Sequence, residues 1–141
     1  MTLIYWLAFL VIMVVVLAVI YPYFQRAQAL MLKARREAEL RAEQALAETL
    51  STEEKAQLDR HGYLDIPSRG HASRIYRVPR HQGMVSVYEG GKLAERLCVG
   101  AISPIPDGDT VLMHKLMIEG SEEEYLRIAN HFTPRTTMFP F

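Results

Sequence analysis

Apolar positions follow three different spacings in turn along this chain. From Met1 to Gln25 they are continuous: the stretch TLIYWLAFLVIMVVVLAVIYPYF contains no Lys, Arg, His, Asp or Glu. At 1.5 Å rise per residue such a run is long enough to cross the ~30 Å apolar part of a bilayer, where the backbone must satisfy its own hydrogen bonds as a helix. Tyr5 and Trp6 near one end and Tyr21 and Tyr23 near the other match interfacial aromatic belts, and Pro22 marks the exit or a kink before it. Residues 1–24 are therefore expected to be a transmembrane anchor. Ala27-Gln28-Ala29 has the form of a signal-peptidase site, but the apolar run exceeds a usual signal core and no basic side chain precedes it. The retained anchor is the favoured reading.

Between residues 25 and 61 the spacing becomes helical. QRAQALMLKARREAELRAEQALAETL lacks Gly and Pro, and Ala27, Leu30, Met31, Ala34, Ala38, Ala42, Ala45 and Leu46 form an irregular, alanine-rich stripe. Glu37 and Arg41 are spaced to support a solvated helix, and clean heptads are absent. This segment reads as a juxtamembrane stalk. A break is expected near Thr49–Thr52, where Ser51 and Glu54 have capping-box spacing, and Gly62 is placed to stop the second helix.

From residue 62 to 133 short alternating segments separated by turn residues predict a small α+β domain. Tyr63–Pro67, Ser73–Val78, Met84–Glu89 and Lys92–Val99 read as extended, with Gly90-Gly91 a tight hairpin turn. Leu93, Leu97 and Val99 are expected on one face, with Cys98 on the less buried one. Pro104, Pro106, Asp107, Gly108 and Asp109 form a connector. Asp109 is expected to cap a helix through Glu119 that Gly120 stops. Ser121 with Glu124 starts a final helix using Tyr125, Leu126, Ile128, Ala129 and Phe132. This gives two to four antiparallel strands covered on one face by two C-terminal helices. Residues 134–141 are an apolar tail ending Met138-Phe139-Pro140-Phe141.

Composition adds direction more than chemistry. The chain has equal numbers of Lys+Arg and Asp+Glu, so it lacks the basic excess of a general nucleic-acid binder. Its single cysteine, Cys98, cannot make an internal disulfide, which suits a reduced compartment. Arg26, Lys33, Arg35 and Arg36 follow the apolar run before any acid does. The positive-inside rule then places the N-terminus outside and the C-terminal domain in the cytoplasm. Those four cations are candidate lipid-headgroup contacts in a single-pass protein of the cell (inner) membrane.

Candidate chemistry is sparse. His61, His71, His81, His114 and His131 follow no metal-binding spacing. Gly90-Gly91 lacks the context of a phosphate loop, and no Ser–His–acid arrangement can be read. No catalytic residue, metal, cofactor or small-molecule substrate is assigned. The one unusual charge feature is a segment free of acids between Asp65 and Glu89, holding Arg69, His71, Arg74, Tyr76, Arg77, Arg80 and His81. It is a candidate contact for an anionic ligand, an acidic protein or nucleic acid. The glutamates of 119–124 are rival partners for the same arginines within the fold. The sequence thus favours a membrane-anchored accessory or assembly subunit, with the bilayer and other subunits of a membrane complex as partners. A membrane-tethered anion-binding module and an enzyme with a dispersed site are the alternatives.

Overall fold

The computed structural model describes residues 2–100 and 105–134. The chain forms a long N-terminal apolar helix followed by a small α+β region with an antiparallel sheet and C-terminal helices. It divides into two compact units, Met1–Ala38 and Glu39–Phe141.

The first unit is helix throughout its described length. Helix α1, Thr2–Thr49, contains Pro22 without ending there. Every described side chain from Ile4 to Phe24 is exposed, and the helix is long and apolar enough to cross a membrane.

The second unit takes in the last turns of α1, because Ala42 and Leu46, with Leu50 just past the helix end, are buried in its core. Its apolar centre therefore begins upstream of residue 62, the start inferred from alternation. The expected break is present: α1 ends at Thr49 and α2 spans Thr52–His61. Glu54 N–H donates to Ser51 Oγ, Ser51 N–H donates to Glu54 Oε2 at 2.9 Å, and the capping box is complete. Gly62, at φ 73°, closes the helix in the left-handed region by donating its N–H to the Leu58 carbonyl.

Among the described residues five strands follow in meander order, each antiparallel to the next: β1 Tyr63–Pro67, β2 Arg74–Pro79, β3 Val85–Glu89, β4 Lys92–Cys98 and β5 Asn130–Phe132. Gly90 and Gly91 both have positive φ, as the two-residue turn between β3 and β4 requires. One face of the sheet carries Leu64, Ile66, Tyr76, Val78, Val85, Val87 and Leu97, all buried. Helices α3, Asp107–Gly120, and α4, Glu122–Ile128, contribute Val111, Ile118 and Tyr125 to the same core. A register shift between Val87 and Tyr88 opposes Tyr88 to Leu93 and Val87 to Glu95. Leu93 thus turns to the Tyr88 face, away from Leu97, contrary to the expectation that the two share a face. Cys98 is half-buried, next to inward-facing Leu97.

The structure also corrects the C-terminal elements. Asp109 does not cap α3. The helix starts at Asp107, three residues earlier than that cap implies, Pro106 occupies the N-cap without a side-chain bond, and Asp109 lies inside the first turn. The final helix stops at Ile128, where Ala129 turns extended at φ −70° and ψ 144°. Phe132 and His131 therefore lie on β5, which pairs with Arg96–Cys98 and brings the strand count above the expected two to four. Pro104 of the connector and residues 135–141 of the tail lie outside the described residues.

Candidate functional site

The basic segment Arg69–His81 runs from a loop through β2 into a second loop, so strand alternation distributes its side chains. Arg74 and Tyr76 point to the covered face and Arg77 to the open one.

On the covered side the organising group is Glu122, in the first turn of α4. Its carboxylate accepts from Tyr76 Oη at 2.6 Å, Ser68 Oγ at 2.7 Å and the Gly70 amide at 3.3 Å, and Arg74 Nη1 lies 3.6 Å away. Burial alone would raise the Glu122 pKa; hydrogen bonds from Tyr76, Ser68 and Gly70, with the Arg74 charge, outweigh it and hold the carboxyl below its usual range. Burial and the bond to Glu122 push the Tyr76 hydroxyl well above the ordinary tyrosine value, so it stays protonated. Ser68 Oγ also accepts the Gly70 and His71 amides, which ties the loop to the same centre. Arg74 donates through Nε and Nη2 to Glu89, its cross-strand neighbour, at 2.9 and 2.6 Å.

On the open side Arg77 makes a two-pronged pair with Asp65, both bonds 2.8 Å, and its guanidinium lies over the rings of Tyr63 and Tyr88 at 3.9 and 4.9 Å. The bond to Asp65 raises the Arg77 pKa further, so this arginine is a permanent cation with a fixed partner. Arg80 bridges Asp59 of α2 and Glu43 of α1, at 2.7 and 2.9 Å. The crevice beside it, between Leu46, Leu58 and Asp59, holds about 20 Å³, room for a single water at most. His81 Nδ1 lies 2.7 Å from Asp107, although its ring is largely exposed.

Arg74, Arg77 and Arg80 thus meet acids of the same chain through ion pairs, His81 lies within hydrogen-bond distance of one, and Tyr76 meets one through its hydroxyl. Arg69 and His71 are exposed on the loop. The candidate lipid contacts Arg26, Lys33, Arg35 and Arg36 are all exposed on α1, with Lys33 4.0 Å from Glu37. The segment is held together by acids from six other elements, and their convergence is a product of the fold; only Glu122 belongs to the 119–124 cluster read from sequence as a rival partner.

Two buried polar groups outside this segment escaped the sequence reading. Lys115 of α3, almost fully buried, joins Glu54 of α2 at 2.6 Å and Glu119 of its own helix. His114, also buried, bonds through Nδ1 to the Tyr125 hydroxyl at 2.9 Å, and burial lowers its pKa to about 4, so it is neutral. No group of metal-ligating side chains is found among the described residues, and no buried side-chain polar atom among them lacks a partner. No protein-family model matches the chain, and no curated protein or solved structure is significantly similar to it.

Proposed function

We propose that the chain is a single-pass protein of the cell (inner) membrane. Its N-terminus lies outside, and its α+β unit serves on the cytoplasmic side as an accessory or assembly module within a larger membrane complex. The observation that carries this reading is the first half of α1: an uncharged run whose side chains, Ile4 to Phe24, are exposed on every side of the helix. A surface of that kind is stable in lipid or against other membrane helices and costly in water. The cations that follow it supply the orientation, and they sit where anionic headgroups would meet them.

The internal pairing of Arg74, Arg77 and Arg80 supports the assembly reading over the anion-binding alternative. An external phosphate or carboxylate would have to displace acids already in place. Extraction of the full chain from its native membrane in mild detergent, followed by native mass measurement, tests the proposal. The expected result is a complex with at least one further subunit in fixed ratio; a monodisperse monomer contradicts it. If Arg69→Gln together with His71→Gln abolishes salt-sensitive binding to a phosphate-bearing probe, the anion-binding alternative takes its place.

A further inference from the structure

Strand β5 is three residues long, lies at the sheet edge, and consists of exposed residues. Its pairing reaches only Arg96–Cys98 of β4, so its own ladder offers little to hold it. The imidazole of His131 adds two further fastenings. Nδ1 lies 2.7 Å from Glu95 Oε2 on β4, and Nε2 lies 2.8 Å from the carbonyl oxygen of Leu126 in α4.

A carboxylate and a carbonyl only accept hydrogen bonds, and a neutral imidazole has one N–H to give. Satisfying both at once takes the imidazolium. The Leu126 carbonyl is open to such a donor because its partner in a continued helix would be Asn130, which has left the helix for β5. The carbonyl end of a helix also favours a positive charge.

The surrounding ionisable groups leave this geometry to Glu95. From α4, Glu124 and Arg127 are bonded to each other. From β4, Arg96 alternates to the opposite face from Glu95 and stands opposite Phe132. Cys98, the remaining ionisable residue on the paired stretch of β4, stands opposite Asn130.

We propose that His131 is a proton-operated clasp: as the imidazolium it fastens β5 to both β4 and the end of α4, and on losing its proton it gives up one of the two fastenings, so that β5 opens more often and uncovers the backbone edge of β4. The direction of titration agrees, since the bonds to Glu95 and to the Leu126 carbonyl raise the His131 pKa above the ordinary 6.5. A raised value in the folded state means that the fastening is complete below the unfolded pKa and is lost as the pH rises through the folded one. Neutral His131 keeps one contact and forfeits the other.

The test uses the full chain in detergent micelles, following the histidine rings by NMR and amide protection by hydrogen exchange from about pH 5 to about pH 9. His131 is expected to titrate above 6.5. Protection of residues 130–132 should fall through the same interval, about tenfold for each unit of elevation, while residues 76–78 and 85–87 keep theirs. Glu95→Gln should return the titration toward the ordinary value and flatten the β5 response. A His131 that titrates at or below 6.5, or β5 protection that ignores its titration, overturns the clasp.

Discussion

Valine is placed in two opposite environments in this protein. Val14, Val15 and Val16 of α1 are 57, 56 and 44% exposed, whereas Val78, Val85 and Val87 of the sheet are at most 1% exposed. The side chain is the same; the arrangement of its neighbours differs. In β2 and β3 each valine alternates with a polar or aromatic residue, so one face is covered by α3 and α4 while the other can meet water. In the first half of α1, Ile4 to Phe24, the apolar residues leave no polar face. The sheet hides its apolar surface within the chain, and on the proposed reading α1 hides its own in lipid.

That contrast is sharpest under truncation. Leu97→Ala or Leu64→Ala removes a fully buried side chain and should cost about 2–5 kcal/mol, seen as a lower urea midpoint for the domain in micelles. Leu10→Ala, on an exposed position of α1, should leave that midpoint unchanged. Equal effects would mean that the apolar first half of α1 also belongs to that core.

Acidity separates the two regions next. His114 is buried and neutral, with its pKa lowered from 6.5 to about 4. Its unfolded form takes up the proton first, so stability is complete above about 6.5 and falls by about 3 kcal/mol as the pH drops toward 4. The slope is read as the difference between wild type and His114→Asn, because His131 acts in the opposite direction. The proposed membrane association, carried by an uncharged segment, should not change over that range.

A smaller effect is expected where α3 crosses the end of α1. A Cβ on Gly108 would lie 2.9 Å from the backbone carbon and oxygen of Ala42, and neither atom can swing aside. Gly108→Ala should cost about 1–3 kcal/mol by the same urea assay. Loss of the α2 cap is the mildest change: Ser51→Ala should cost about 1 kcal/mol. If Gly108→Ala costs nothing, the helices pack more loosely than this contact implies.

The contrast also explains what could be read from sequence. The uncharged run, the capping box at Ser51 and Glu54, the Gly62 stop and the Gly90-Gly91 hairpin are local signals whose cause lies within a few residues. The extent of the core was hidden because Ala42 and Leu46 belong to a stripe too rich in alanine to advertise burial. β5 was misread because Phe132 continues the apolar spacing of α4, and only the open edge of β4 makes it a strand. The fate of the basic segment depended on Glu43, Asp59, Asp65, Glu89, Asp107 and Glu122, which are scattered over 80 positions of the chain and converge only in the fold. Lys115 gave no signal at all, and His114 could be placed on a helix without its burial being read, since both depend on helix packing.

The account rests on α1 crossing a bilayer. Single cysteines at Thr2→Cys or Ser51→Cys, in a Cys98→Ser background, can be challenged with a membrane-impermeant thiol reagent on intact cells and again after permeabilisation. The account predicts labelling of position 2 from outside and of position 51 only after permeabilisation. Labelling of both positions from the same side would contradict it.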